Sequence, residues 1–280
     1  MEIAARTNAE IVSADSRQVY RGMDVGTAKP TRDERARLRH HLIDIVDPGE
    51  RYDVARYQRD ARAALADIAA RGRLAVVVGG TGLYVRALLD GLDLESVPTD
   101  PDVRARLEAE AERGEDLHAR LAAIDPEAAA KVDPRNVRRV VRYLEASLIT
   151  GGVSARWRRS DAIPAVKIGL APPREWLVER IERRVGAMLD QGVLAEARRL
   201  MDRGIDPRLP SMSAHGYVHW TAHLRGEIDR AHAVALTVRD TKAYSRRQMT
   251  WFRRDAEVRW CDPATVDPVA FATAALAQTA

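Results

Sequence analysis

At 280 residues with 46% apolar side chains, the chain is long enough to bury one large or two modest hydrophobic cores. Its single cysteine excludes an internal disulfide, and no paired Cys/His spacing suggests structural zinc, a composition typical of a reducing compartment. The formal net charge of +4 is only a weak indication of a polyanionic partner.

The N-terminal residues 1–15 contain no basic segment followed by an apolar run and small residues, which is the pattern of a secretory signal. The longest apolar stretch, LAVVVGGTGLYV, is short and interrupted by glycines, unlike a membrane span. We therefore expect a cytoplasmic protein.

Five short runs rich in β-branched residues are the predicted strands. They alternate with long segments of helical periodicity, which is typical of βα units that form a parallel sheet. In chain order the runs are EIVSA (10–14), HLIDIV (41–46), LAVVV (74–78), VKIGLA (166–171) and EVRWC (257–261).

Two long amphipathic helices are predicted between these strands. The first runs from Asp53 to Arg71, with apolar residues at steps of three and four. The second runs from about Pro173 to Arg203, and Gly192 is expected to divide it in two. Both are expected to cover the sheet.

Residues 99–163 contain no strand-like run and consist of charged, alanine-rich helical segments opened by TDPD and DPE caps. The sequence therefore predicts an α/β core of residues 1–98 and 164–280, with a helical insertion domain at 99–163. From 99 to 130 there are nine acidic and four basic residues, whereas from 131 to 160 there are eight basic and two acidic. A solvated helix face explains this reversal, and the functional alternative is an RNA-phosphate surface formed by Arg139, Arg142, Arg156, Arg158 and Arg159.

Two segments that follow predicted strands are the candidates for chemistry. GGTGLY (79–84) follows LAVVV; its glycines either allow a ligand to approach the backbone or form a tight turn with positive φ, and Thr81 is either a site residue or a helix N-cap. SADSRQVYRG (13–22) places Asp15 at the end of the first strand, where it is either a proton acceptor or an ordinary turn residue. The residues alone leave both alternatives open.

Longer motifs make the chain resemble a known family. VSADSRQVYRGMDVGTAKPT, HHLIDIVDP, VVVGGTGLYVRALLDGL, RVVRYLE, ERIERRV and RRQMTWFRRD together resemble the tRNA dimethylallyltransferases, the bacterial isopentenyl transferases. The motifs follow in the family's order from Ala9 nearly to Asp262.

The resemblance implies an α/β fold with a P-loop NTPase-like parallel sheet core, whose first strand and P-loop are absent here, and an inserted α-helical subdomain. It implies a prenyltransferase that moves a dimethylallyl group from dimethylallyl diphosphate to N6 of the adenine just 3′ of the anticodon, tRNA position 37. The adenine would be flipped out of the anticodon loop, because a stacked base cannot offer N6 to a buried electrophile. Mg²⁺ would be the cofactor, the tRNA anticodon stem-loop the partner, and the protein a monomer.

The resemblance also assigns roles to individual residues. Asp15 matches the general base, and Arg184 matches the arginine that steadies the leaving diphosphate, together with Gly80 and Thr81. The residues matching those that contact tRNA are Asp15, Ser16, Arg17, Gln18, Thr81, Arg138 and Arg139. Arg138 stands where the family more often has Gln, and SMSAHGY places Ser213 where an arginine and His215 where an aliphatic residue are usual.

The family begins with a strand, a phosphate loop of the form GPTxSGKT and a helix whose last turns correspond to MEIAAR here. The sequence thus predicts either a misassigned start, with the true product beginning upstream, or a shortened, catalytically inactive tRNA-binding paralogue. A variant that prenylates free adenine nucleotides is a third hypothesis, which leaves the basic insertion without a purpose.

Two further motifs are interpreted structurally. His40 and His41 have no third ligand at metal-site spacing. In RRQMTWFRR (246–254), the aromatic residues are expected in the core and the arginines on a phosphate-facing rim.

Overall fold

The computed structural model describes residues 1–92, 99–152, 162–213 and 216–278. The chain divides into two compact units, one of residues Met1–Val85 with Pro164–Ala280 and the other of Arg86–Ile163. Every strand within the described ranges lies in the first unit. The helices are α1 (Glu2–Arg6), α2 (Arg32–Arg37), α3 (Val54–Ala70), α4 (Gly82–Leu89), α5 (Pro101–Glu112), α6 (Leu117–Ile124), α7 (Pro126–Ala130), α8 (Val137–Thr150), α9 (Arg174–Asp190), α10 (Val193–Asp202), α11 (Tyr217–Leu224), α12 (Arg230–Phe252) and α13 (Pro268–Ala277), with one 3₁₀ turn at Ser211–Ser213.

The strands form two parallel sheets, which confirms the predicted α/β fold with parallel pairing. In the first sheet, β1 (Glu10–Ser13) lies between β2 (His40–His41) and β3 (Ala75–Val78), in the order β2-β1-β3. In the second, β4 (Ile168–Leu170) pairs with β5 (Arg259–Cys261).

The predicted strand at 41–46 is wrong for most of its length. Only His40 and His41 pair with β1. Leu42 and Asp44 have φ values of 63° and 58°, in a left-handed region that a strand does not admit. The carboxylate of Asp44 accepts hydrogen bonds from Lys29 and Arg35, both at 2.6 Å, and these contacts fix the irregular backbone.

The long helices begin and end close to where the sequence predicts. Asp53 caps α3 by accepting a hydrogen bond from the backbone N–H of Arg56 at 2.9 Å. Gly192, with φ of 89°, separates α9 from α10 as predicted. The apolar stripes of α3 and α9 are buried at Tyr57, Ala61, Ile68, Ile181 and Val185.

The outer edge of the first sheet is apolar. Within the described residues, β3 pairs only with β1. Leu74, which precedes β3, is 59% exposed, and Val78 is 49% exposed. An exposed apolar edge strand is unusual because its unpaired N–H and C=O groups can pair with another strand.

The second unit has its own core, formed where α5, α6, α7 and α8 meet around Leu107, Leu121, Val140 and Leu144. In the same unit, the fully buried carboxylate of Glu145 on α8 accepts hydrogen bonds from Arg104 at 2.7 Å and Arg142 at 3.0 Å. None of the described helices in either unit is long and apolar enough to cross a membrane.

At the amino end of β1, the side chain of Glu10 is only 2% exposed and forms a cluster of ion pairs. Its Oε2 lies 2.7 Å from Arg71 and 2.6 Å from Nε2 of His41, so it joins β1 to β2 and to the end of α3. Burial raises the pKa of Glu10, but the hydrogen bonds from Arg71 and His41 outweigh burial and hold that pKa below its ordinary value.

Glu10→Gln is expected to lower the free energy of unfolding at pH 7 by about 2 kcal/mol, because it removes charge-assisted hydrogen bonds from a buried site. The folded-state pKa of Glu10 is depressed. Its contribution is therefore complete above the unfolded value of about 4.3 and is lost as the pH falls through the folded value. Urea unfolding at a series of pH values should show that the difference in the free energy of unfolding between wild type and variant shrinks at acidic pH.

The matched control is Glu2→Gln, which removes an exposed ion pair with Arg6 at 2.6 Å. It should change stability much less, because exposed pairs are screened by solvent. A difference in the free energy of unfolding between wild type and Glu10→Gln that stays constant from neutral to acidic pH would contradict this assignment.

Candidate active site

Two loops of the first unit meet at the carboxyl edge of the parallel sheet, one after β1 and one after β3. The hydroxyl of Thr81 accepts a hydrogen bond from the backbone N–H of Ser16 at 3.0 Å. The backbone N–H of Thr81 in turn donates to the carbonyl of Ala14 at 3.2 Å. These contacts bring together Asp15, Ser16, Gly80 and Thr81, which the sequence singles out separately.

Asp15 is a half-buried turn residue with one oxygen committed to its own loop. Oδ1 accepts hydrogen bonds from the backbone N–H of Arg17 at 2.8 Å and of Gln18 at 3.4 Å. Among the described residues, Oδ2 accepts none. Asp15 can therefore be both a turn residue and a proton acceptor, since the turn orients the carboxylate and leaves one oxygen available to a ligand.

The side chains of Arg17 and Gln18 are each held by hydrogen bonds to another segment of the chain. The guanidinium of Arg17 donates to the carbonyl of Pro210 and, at 3.1 Å, to the hydroxyl of Ser213. Ser213 thus contacts a candidate tRNA-binding residue, whereas His215 lies outside the described residues. The side-chain amide of Gln18 donates to the carbonyls of Thr27 at 3.3 Å and Ala28 at 3.4 Å.

The glycines of the GGTG loop are required by close approach. None of Gly79, Gly80 and Gly82 has a positive φ, so the alternative of a positive-φ turn is wrong. A Cβ at Gly79 would collide with the backbone carbonyl of Ala14, one at Gly80 with the amide of Gln248, and one at Gly82 with the indole of Trp251. The hydroxyl of Thr81 bonds to Ser16 across the two loops.

Gly79→Ala is expected to destabilise the protein more than Gly82→Ala, because the obstacle at Gly79 is the backbone of Ala14, directly after β1, which cannot move without disturbing the sheet. Trp251 is 39% exposed and can change rotamer. The free energies of unfolding, measured with urea, should fall by about 3 kcal/mol and about 1 kcal/mol, respectively. Equal losses would contradict the assignment.

Helix α12 supplies two site residues that the sequence analysis missed. The hydroxyl of Tyr244 and the amide of Gln248 both donate to the carbonyl of Gly80, at 3.2 Å and 3.0 Å. Burial, and next the negative charge of Asp15, raise the pKa of Tyr244. The spacing of residues 244, 248 and 251 on one helical face, with polar groups on an otherwise aromatic stripe, is the signal that could have found them. The prediction that the aromatic residues of RRQMTWFRR lie in the core is wrong for Trp251, which is exposed and covers Gly82.

Arg184 is not brought into contact with these loops. It lies on α9 with an exposed side chain, between the buried Ile181 and Val185, and makes no hydrogen bond or ion pair with any described residue. α9 packs on α12 and is joined to it by the ion pair of Glu182 with Lys242 at 2.7 Å. A cation without a protein partner is available to an anionic ligand.

The second unit carries Arg138 and Arg139, both exposed in the first turn of α8. The guanidinium of Arg139 lies 5.5 Å from the centre of the Tyr143 ring, and Asn136 caps the helix at the backbone N–H of Arg139. Arg142 is instead engaged by Glu145. The other arginines of the proposed RNA-phosphate surface, Arg156, Arg158 and Arg159, lie outside the described residues.

Both histidines that precede LIDIV have protein partners. Nδ1 of His40 lies 2.6 Å from the carbonyl of Leu38, and His41 pairs with Glu10. In the ranges that the structure describes, no group of three or more His, Cys, Asp or Glu residues could hold a metal ion.

Comparisons with known proteins identify the family. The model of the family described as IPP transferase matches residues 18–255. A tRNA dimethylallyltransferase of Anaeromyxobacter dehalogenans is 49% identical over 278 residues, 96% of this chain and 91% of the relative. One of Thermomicrobium roseum is 45% identical over 266 residues, 94% of this chain and 81% of the relative. The solved structure of the tRNA isopentenylpyrophosphate transferase from Bacillus halodurans is 40% identical, with a TM-score of 0.71, and the match covers 99% of this chain and 91% of that one.

This chain therefore belongs to the IPP transferase family, and the resemblance seen in the motifs is confirmed. The matched range begins at Gln18, three residues after Asp15, and includes the loop after β3, α9 and the whole of α12. It also spans the whole second unit.

Proposed function

We propose that this protein is a prenyltransferase that transfers a dimethylallyl group from dimethylallyl diphosphate to N6 of the adenine just 3′ of the anticodon of tRNA. The proposal rests on the family, whose relatives carry the name tRNA dimethylallyltransferase. The single observation that carries the chemistry is the oriented carboxylate of Asp15, where the two loops meet.

In the proposed reaction, N6 attacks C1 of the allylic group, and the C1–O bond breaks with its electron pair going to the diphosphate. The proton lost from N6 goes to Oδ2 of Asp15, the oxygen that accepts no hydrogen bond from a described residue. Oδ1 is meanwhile fixed by the backbone N–H groups of Arg17 and Gln18. An exocyclic amine is a weak nucleophile, so orientation and removal of its proton are the contributions that matter.

The adenine reaches this carboxylate only if it leaves the base stack of the anticodon loop. We assign its recognition to the segment Ser16, Arg17 and Gln18, with Thr81 on the facing loop. In the second unit, Arg138 and Arg139 would contact phosphates of the stem. Their exposed guanidinium groups suit that role, because phosphate contacts position an RNA without reading its sequence.

For the diphosphate, we assign Arg184, Gly80 and Thr81. The backbone N–H of Thr81 is paired with Ala14 and its hydroxyl with Ser16, so Thr81 would have to exchange its bond to the Ser16 hydroxyl for one to the anion. The P-loop NTPase-like arrangement that the resemblance implies is part of this proposal. Support comes from the parallel pairing of β1 with β2 and β3, and from β3, which pairs only with β1 among the described residues and is flanked by the exposed Leu74.

Mg²⁺ stays a prediction. Because the described residues offer no group of three metal ligands, no step of the proposed reaction is assigned to it. A monomeric state and a cytoplasmic location, where tRNA is found, complete the proposal.

The test is incubation of the protein with radiolabelled dimethylallyl diphosphate and an RNA anticodon stem-loop that has adenine just 3′ of the anticodon. We expect label on that adenine and none on a stem-loop with guanine there, because guanine lacks the N6 amine. Binding of the stem-loop without transfer would instead identify an inactive RNA-binding relative, and transfer to free AMP in preference to RNA would contradict the assigned substrate.

A further inference from the structure

Glu196, on α10, is a buried carboxylate that neither the motifs nor the proposed reaction involve. Its side chain is 1% exposed. It accepts hydrogen bonds from three consecutive backbone N–H groups, those of Asp24 at 2.8 Å, Val25 at 2.9 Å and Gly26 at 2.9 Å. The hydroxyl of Tyr217 donates a fourth at 2.5 Å. Burying a carboxylate is costly, and four donors offset that cost.

The segment that donates to Glu196, residues 24–26, is followed directly by the two residues that Gln18 contacts. The carbonyls of Thr27 and Ala28, the next two residues, accept the side-chain amide of Gln18. Gly26 packs so closely on the ring of Tyr217 that a Cβ would collide with it. Three converging N–H groups fix the three peptide planes that join residues 23–26, and Thr27 and Ala28 follow directly on this fixed backbone.

A second buried group, the ammonium of Lys29, also binds this segment. The ammonium of Lys29 is 1% exposed and donates to the carbonyl of Tyr20, to Asp24 and to Asp44. Lys29 ties Asp24 to the carbonyl of Tyr20 and to Asp44, whereas Glu196 ties the segment to α10 and, through Tyr217, to α11. Glu196 thus links α10 and α11 to the segment whose next two carbonyls accept the amide of Gln18.

We propose that Glu196 is a positioning residue for RNA recognition, which acts through residues 24–28 on the side-chain amide of Gln18. The inference rests on the proposed function, in which Gln18 contacts tRNA. A carboxylate is suited to the role because it only accepts hydrogen bonds, so it selects a single arrangement in which all three N–H groups point toward it. Glutamine at this position would aim an N–H donor at the same groups.

A double-mutant cycle in the dissociation constant of the anticodon stem-loop tests this inference. Glu196→Gln is expected to weaken binding about tenfold in the wild-type background and less than threefold in a Gln18→Ala background, since its effect passes through Gln18. Equal losses in the two backgrounds would overturn the inference. Because the readout is binding, loss of prenyl transfer alone would count against the proposed function and not against this inference.

The matched control is Glu10→Gln, an equally buried carboxylate at the opposite end of β1. It should leave the dissociation constant within twofold, and a tenfold loss there would mean that general destabilisation explains both variants. Should Glu196→Gln not fold, Tyr217→Phe removes one donor and leaves the loop contacts. It is expected to weaken binding about threefold only when Gln18 is present, and an equal loss without Gln18 would refute the link.

Discussion

Asp15→Asn is expected to lower the single-turnover rate of prenyl transfer by about 10³-fold and to change the affinity for the stem-loop less than threefold. Asparagine retains the carbonyl oxygen that accepts the Arg17 N–H and so keeps the turn. It cannot take the proton that N6 loses, so the chemical step fails while binding persists. The rate of prenyl transfer is measured by rapid quench with enzyme in excess over RNA. The affinity is measured by the fluorescence anisotropy of a labelled stem-loop.

The control is Asp206→Asn in the same unit. Asp206 makes the same local turn, accepting the backbone N–H of Arg208 at 2.8 Å, but lies in an exposed loop. It should leave the rate within twofold. If Asp15→Asn transferred the prenyl group at a rate near that of wild type, Asp15 would not be the proton acceptor.

Arg184→Gln is expected to lower kcat/KM for the allylic diphosphate by about 10²-fold, equivalent to about 2.7 kcal/mol of transition-state stabilisation. The guanidinium has no protein partner among the described residues and is assigned to the leaving group, where charge grows as the C–O bond breaks. The loss should appear in kcat as well as in KM, because the interaction strengthens in the transition state. Steady-state kinetics with the diphosphate as varied substrate measures both.

Arg183→Gln is the matched control, since Arg183 is the neighbouring residue on α9 and its guanidinium is paired with Glu179 at 2.8 Å. It should keep kcat/KM within threefold. Equal losses for the two arginines would show that the charge of the helix as a whole, and not Arg184, acts on the donor.

The elements with strong periodicity were predictable from sequence. α3 and the division of α9 from α10 at Gly192 lie where the apolar spacing and the glycine place them. The end of β2 at His41 was not predictable, because the apolar run that follows contains two left-handed residues, and one of them, Asp44, is held by the distant Lys29 and by Arg35. β-branched runs indicate burial, which an irregular buried segment satisfies equally well.

The candidate site was likewise predictable from sequence only in part. The juxtaposition of Asp15 with Thr81 follows from the rule that parallel strands carry their loops at one edge, and the structure confirms it. The roles of Tyr244, Gln248 and Glu196 depend on side chains reaching backbone atoms more than 160 residues away. The shared helical face of Tyr244 and Gln248 could have marked them as candidates, but a single sequence does not reveal which distant backbone atom each side chain contacts.

The central claim is that Asp15 receives the adenine that is alkylated. A crystal structure of the protein with the anticodon stem-loop tests it most directly. We predict that the adenine 3′ of the anticodon is flipped out, with N6 about 3 Å from Oδ2 of Asp15. An adenine that remains stacked in the loop, or one that is bound away from the carboxyl ends of β1 and β3, would contradict the account.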